Sequence, residues 1–243
     1  MTTIFSPRNL FLLLVSMGVG RFLRSNPLLL GQKVGNLPSE NVFPIVREHE
    51  VLDRFLDESL LGDDYEGYRN HCLRVLTFAM HFLDNKVSKE EMNLMAMAVA
   101  YHDIALWTDG VLDYLEPSVA VMDRDAEANR NFLKGDDEET YAEDWFFTPA
   151  EMATAREIIR QHHKYTPFRS EDDVNERLIN AVRKADWADA TMGAIRYKLP
   201  ASYLEAAYAA LPEAGFHRRL LSFTGSLSKS FFGRFEVLNI LKW

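Results

Sequence analysis

The chain has 243 residues, of which 47% are hydrophobic and 26% charged, which is a globular composition and excludes a disordered or collagen-like chain. Its net charge of −9 argues against a broad basic surface for extended nucleic acid, although a local basic pocket for a small anion stays open. Cys72 is the only cysteine, so no internal disulfide or thiolate zinc cluster can form; a reducing, cytoplasmic compartment is expected, and any metal must rely mainly on histidine and carboxylate ligands.

Asn9–Gly20 is a charge-free, leucine-rich run between Arg8 and Arg21. It is too short to span a bilayer, and no small-residue cleavage site follows it before Arg21 and Arg24, so secretion is not expected. Residues 9–30 read as a helix packed on the domain or at a homo-oligomer interface, or as a peripheral membrane contact flanked by arginines. Asn36–Pro44 is a polar linker containing proline, which sets off 1–44 as an N-terminal extension.

Almost no stretch alternates apolar with polar residues, and the chain is expected to be all-α. Helical periodicity runs over about 44–60, 66–84, 89–107, 116–134, 149–163, 174–197 and 200–211. Turn-like stretches such as Leu61–Asp64 and Lys134–Asp137 separate them. Thr148-Pro149-Ala150-Glu151 marks one start well, with an N-cap, a proline at the first helical position and a capping-box glutamate. The compact core is predicted over 45–200, with 201–243 as a helical extension packing on it; Gly225–Gly233 shows no clear period.

Three of these helices turn titratable groups toward their own apolar stripe. His71 is followed by Val75, Phe78 and Phe82 on one helical face, with Arg74 one turn on. His102 stacks above Ala98 and Met95, and Asp103 above Val99 and Ala96, so a His-Asp pair ends a largely apolar helix. Asp186 follows Val182 and Leu178, flanked by Lys184 and Asp189. One buried histidine is ordinarily a hydrogen-bonded core residue, and one buried aspartate a cap or ion-pair partner. Two imidazoles and two carboxylates inside one acidic core are mutually costly unless a cation lies between them. Such ligands suit Mn, Fe, Ni, Co, Zn or, with more waters, Mg.

In order and context, Tyr68-Arg69-Asn70-His71-Cys72-Leu73-Arg74-Val75, Ala98-Val99-Ala100-Tyr101-His102-Asp103-Ile104 and Val182-Arg183-Lys184-Ala185-Asp186-Trp187 resemble the three ligand-bearing helices of the HD-domain superfamily of metal-dependent phosphohydrolases. The resemblance covers about 64–197. It implies a multi-helix HD-like bundle in which His71, His102, Asp103 and Asp186 bind one divalent metal per chain and a small phosphoester, such as a nucleotide, is hydrolysed. Asp103 would also accept a proton from the attacking water, with Arg74, Lys184 or a histidine of the His162-His163 pair neutralising developing charge.

Two departures qualify that expectation. Nucleotidase-like members carry a glutamate three residues after the HD aspartate, where this chain has Leu106; Glu116 is the candidate replacement, its alternative being a helix-start carboxylate near the macrodipole. Binuclear members, including diiron oxygenases, carry further histidines, for which this chain offers only His162 and His163. Adjacent helical side chains point about 100° apart, so one ring of that pair is expected to face the site. His49, His81 and His217 read as surface or packing residues. Two rival readings remain: a diiron oxygenase, or a noncatalytic metal-stabilised interaction module.

Overall fold

The computed structural model describes residues 43–110, 113–133, 147–172 and 174–227. The apolar segment at 9–30, most of the linker before Pro44, the turn at Lys134–Asp137 and everything after 227 lie outside the described residues.

Every regular element among the described residues is helical. α1 (Glu50–Phe55) and α2 (Glu58–Leu61) lead through a short 3-10 turn into α3 (Tyr65–Phe82). There follow α4 (Lys89–Tyr101), α5 (Ile104–Asp109), α6 (Leu115–Leu133), α7 (Pro149–Gln161), α8 (Glu176–Ala190), α9 (Ala201–Ala210) and α10 (Phe216–Leu227). The start of α7 is the one the sequence marks: Glu151 N–H donates to Thr148 Oγ1 at 3.2 Å, while Glu151 Oε2 accepts from Thr148 N–H at 2.7 Å. No helix among the described residues is long and apolar enough to cross a membrane.

Three predicted helices are shorter or divided. The segment 44–60 breaks at Leu56-Asp57 because the Asp57 carboxylate accepts from Ser59 N–H at 2.8 Å and starts a new helix. The segment 174–197 stops at Ala190, where Thr191 Oγ1 donates to Trp187 O at 2.6 Å; Met192, Tyr197 and Lys198 beyond it have positive φ. The segment 89–107 divides at His102-Asp103, as described below. α10 falls within the helical extension expected over 201–243 but shows no periodic segment of its own, because Ser222, Thr224, Gly225 and Ser226 are weak helix formers. Tertiary packing supports it instead: Phe216 stacks on Trp107 at 5.1 Å between centroids and Phe223 meets the same indole edge-on at 5.2 Å.

α3, α4, α7 and α8 each pack against the next and close a ring. Leu73, Phe78, Met95, Val99, Ile158 and Val182 fill it and are inaccessible to solvent. α1 and α6 cover α4, and α9 and α10 lie against α3.

Gly67 on α3 lets the C-terminal segment come close, since a Cβ there would lie 2.8 Å from Ala214 O and 3.2 Å from Phe216 N. Both obstacles are backbone. Gly67→Ala is therefore expected to lower stability by about 1–3 kcal/mol as overpacking, against the small gain alanine gives in an open helix. A thermal unfolding comparison with wild type checks it.

Glu213 organises the same segment. Its carboxylate accepts from Gly215 N–H at 2.8 Å and from His217 N–H at 2.5 Å. Burial opposes its charge, but the His217 and Gly215 contacts outweigh burial and push it down to about 2. A depressed carboxyl contributes stability above its unfolded value and loses it as pH falls. The Glu213 contribution should thus disappear between about pH 4.5 and about pH 2, and Glu213→Gln should flatten the wild-type decline across that window in acid unfolding curves.

Candidate metal centre

Each helix of the ring delivers side chains to one buried point. His71 comes from the middle of α3 and Asp186 from α8, while His102 and His162 cap the C-termini of α4 and α7. The two caps use the same device. His102 Nδ1–H donates to Val99 O at 2.6 Å and His162 Nδ1–H donates to Ile159 O at 2.7 Å, each ring satisfying a carbonyl three residues back. At the first of these ends, Asp103 N–H donates to Tyr68 Oη at 3.3 Å rather than continuing the helix, and Asp103 becomes the N-cap of α5. That break turns the Asp103 carboxylate inward, beside His102.

These contacts fix the tautomers. A carbonyl can only accept, so Nδ1 of His102 and of His162 must carry hydrogen; His71 Nδ1–H likewise donates to Asp189 Oδ2 at 2.7 Å. In the neutral rings all three Nε2 atoms are then acceptors, and they converge. His71 Nε2 and His102 Nε2 are 3.0 Å apart, and Asp186 Oδ1 lies 3.5 Å from both. His162 Nε2 is 3.2 Å from Asp103 Oδ1 without hydrogen-bond alignment, and neither atom has another hydrogen-bond partner. Neutral rings facing carboxylates in a dry interior call for positive charge, which a proton on His102 Nε2 or a metal cation would supply.

The electrostatics have the same sign. Burial opposes a charge on His102, yet the neighbouring Asp103 and Asp186 carboxylates outweigh it and push the imidazole up to about 9. Burial lowers His71, against the pull of Asp189. Burial and then the His162 ring push His163 down to about 3. Asp103 and Asp186 are both held below the usual carboxylate range, against burial, by the surrounding imidazoles.

The structure brings His71, His102, Asp103 and Asp186 together as the sequence predicts. Both rings of the His162-His163 pair, rather than one, reach this site. His163 Nε2 lies 3.9 Å from Asp103 Oδ1 and is hydrogen-bonded with the Tyr114 hydroxyl, and the two imidazole centroids are 3.8 Å apart. His162 keeps helical dihedrals as the C-cap of α7, φ −59° and ψ −30°, so it is the reach of the two rings, which meet at 46°, and not a change of backbone at His162 that brings both to Asp103. Two donor groups result, His71/His102/Asp103 and Asp103/His162/His163, each with its ligand atoms within 4.8 Å of one another. Either could hold a metal ion, and Asp103 belongs to both.

Three predicted residues have other engagements. Arg74 is buried one turn from His71 but gives Asp189 two hydrogen bonds, at 2.6 and 2.9 Å, and donates to Leu211 O at 3.0 Å. Lys184 is half-buried with Nζ 5.5 Å from the centre of the Phe82 ring. Glu116 sits exposed in the first turn of α6 and takes Arg160 Nε and Nη2 at 2.8 and 2.9 Å, so the helix-start alternative describes it. Asp189 and Tyr114 went unassigned from sequence. Asp189 follows Asp186 by three residues on the same apolar face, a spacing that could have found it; for Tyr114 no local signal exists.

The donor set is fit for a divalent cation: imidazole nitrogens and carboxylate oxygens, tautomers set by outer acceptors, and two unpartnered ligand atoms buried at the centre. Comparison of the chain with protein-family models, with curated proteins and with solved structures finds no match.

Proposed function

We propose that the chain is a metal-dependent phosphohydrolase acting on a small phosphoester in the cytoplasm, with an HD-like fold and His71, His102, Asp103 and Asp186 holding a divalent cation. The observation that carries this reading is the convergence of three Nε2 atoms on two carboxylates, with each Nδ1–H already committed to an outer acceptor. The sequence resemblance supplies the reaction class. When bound, such a cation lowers the pKa of a water and polarises a phosphoryl oxygen. Asp103 Oδ1, which no hydrogen bond engages, is placed to take the proton. His163 has 17% of its side chain exposed, against at most 5% for His71, His102, Asp103, His162 and Asp186, so a substrate approaches past His163 and its Tyr114 partner. Arg74 is withdrawn from the sequence assignment of charge neutralisation by its carboxylate and carbonyl partners, and Lys184 by its place over Phe82.

A second reading, diiron oxygenation, is favoured by one observation: both His162 and His163 reach Asp103, which supplies the additional histidines that chemistry requires. Elemental analysis of wild type beside Asp186→Ala, with a phosphatase panel across Mn, Fe, Ni, Co, Zn and Mg on the same samples, tests both. The expected result is stoichiometric metal and phosphoester turnover in wild type, both lost in the variant. Two irons with a visible absorption band and no phosphatase activity would replace hydrolysis by oxygenation. A folded wild type that neither retains nor responds to metal would refute both.

A further inference from the structure

We infer that Asp189 and Arg74 are a positioning pair that fixes His71 for metal binding, an inference that rests on the metal-centre reading above. α3 and α8 face each other with a matched spacing: His71 and Arg74 are three residues apart on one, Asp186 and Asp189 three apart on the other. The result is two rungs. The inner one sets His71 Nε2 3.5 Å from Asp186 Oδ1, and the outer one joins Arg74 to Asp189 through two hydrogen bonds at 2.6 and 2.9 Å. His71 Nδ1–H bridges from the first rung to the second, at 2.7 Å from Asp189 Oδ2.

Asp189 is held from both of its ends. Arg74 and His71 supply three donors to its carboxylate, and its backbone carbonyl accepts from Tyr208 Oη–H at 3.1 Å and His217 Nε2–H at 2.9 Å. Arg74 is itself anchored on Leu211 O and Pro212 O and lies over the Tyr208 ring. Phe216 stacks on the His71 ring with centroids 3.9 Å apart and planes at 11°, which blocks the imidazole from swinging away. The outcome is an imidazole with one orientation and one tautomer, its Nε2 lone pair aimed at the convergence point. A carboxylate behind a ligating imidazole also raises its basicity as a donor, and losing such a partner typically costs about 10–100-fold in metal affinity.

A buried ion pair that merely joins two helices would stabilise the fold without touching metal affinity, and the experiment separates the two roles. The double substitution Arg74→Met with Asp189→Leu removes both charges at similar volume, a change that folded proteins often tolerate. The full-length protein and the double variant are titrated with Co(II) against a competing chelator, with helicity followed by circular dichroism. The expected result is a folded variant with about 10–100-fold weaker Co(II) binding and an altered visible spectrum. A folded variant with wild-type affinity and spectrum overturns the inference. Should the variant fail to fold, long-range proton–nitrogen NMR of zinc-loaded wild type decides: His71 protonated at Nδ1 and bound through Nε2 supports the pair, and any other state of that ring overturns it. A wild type that binds neither Co(II) nor zinc fails the metal-centre reading itself, an outcome distinct from a metal-binding protein indifferent to Asp189.

Discussion

Asp103→Ala is expected to remove bound metal and to lower turnover of any phosphoester the wild type hydrolyses by ~10³-fold or more, while the helical fold survives. Asp103 is the residue common to both donor groups, with Oδ2 3.5 Å from His102 and Oδ1 3.2 Å from His162. Its side chain makes no cap hydrogen bond at the start of α5, so the backbone break at His102-Asp103 loses no local support. The surrounding imidazoles hold the Asp103 carboxylate below its usual range despite burial, so the metal-free variant should unfold somewhat earlier than the metal-free wild type while keeping its helices. Metal content, turnover and thermal unfolding measured on one preparation check all three statements. Full metal retention in Asp103→Ala would move the centre elsewhere.

Arg74→Ala should instead act on stability. The substitution leaves the Asp189 carboxylate charged in a site without solvent access and strips donors from Leu211 O and Pro212 O. Breaking one side of a buried pair costs about 3–5 kcal/mol. At 2–4 °C per kcal/mol for a chain of this size, the thermal midpoint should fall by roughly 6–20 °C. Lys184→Ala is the control, because that amine is half-buried over Phe82 and its loss should cost about 1 kcal/mol or less. Sequence reasoning gives Arg74 and Lys184 the same duty. Equal and small shifts for both variants would contradict the separation that the structure makes between them.

What the sequence discloses is the part written in helical period. His71, His102, Asp103 and Asp186 each lie on an apolar stripe, and the stripe is a local property that needs no tertiary information. The capping box at Thr148 is local in the same way. The roles of Arg74, Lys184 and Glu116 depend on partners distant in the chain, such as Arg160 for Glu116, and no spacing rule reaches that far. The His162-His163 pair departs from expectation for a different reason: the angle between adjacent residues fixes where their Cβ atoms point, and two imidazole rings can still reach one carboxylate from there. The division at His102-Asp103 is a further case, since a continuous apolar pattern over 89–107 hides a carbonyl claimed by a histidine ring. α10, with weak helix formers and a fold-dependent aromatic stack, carries no signal of its own.

The outer rung has a consequence for the order in which the molecule can be assembled during translation. Arg74 is synthesised 115 residues before Asp189 and 137 before Leu211. At ribosomal rates of about 5–20 residues per second, the guanidinium emerges on the order of 10 s ahead of the carboxylate that neutralises it. Until then α3 cannot bury that side chain without an unpaired charge, so the α3–α8 seam closes after α4 and α7 have been made. The ring of helices is completed by its last-synthesised member, and the His71 imidazole acquires its final orientation only with that closure.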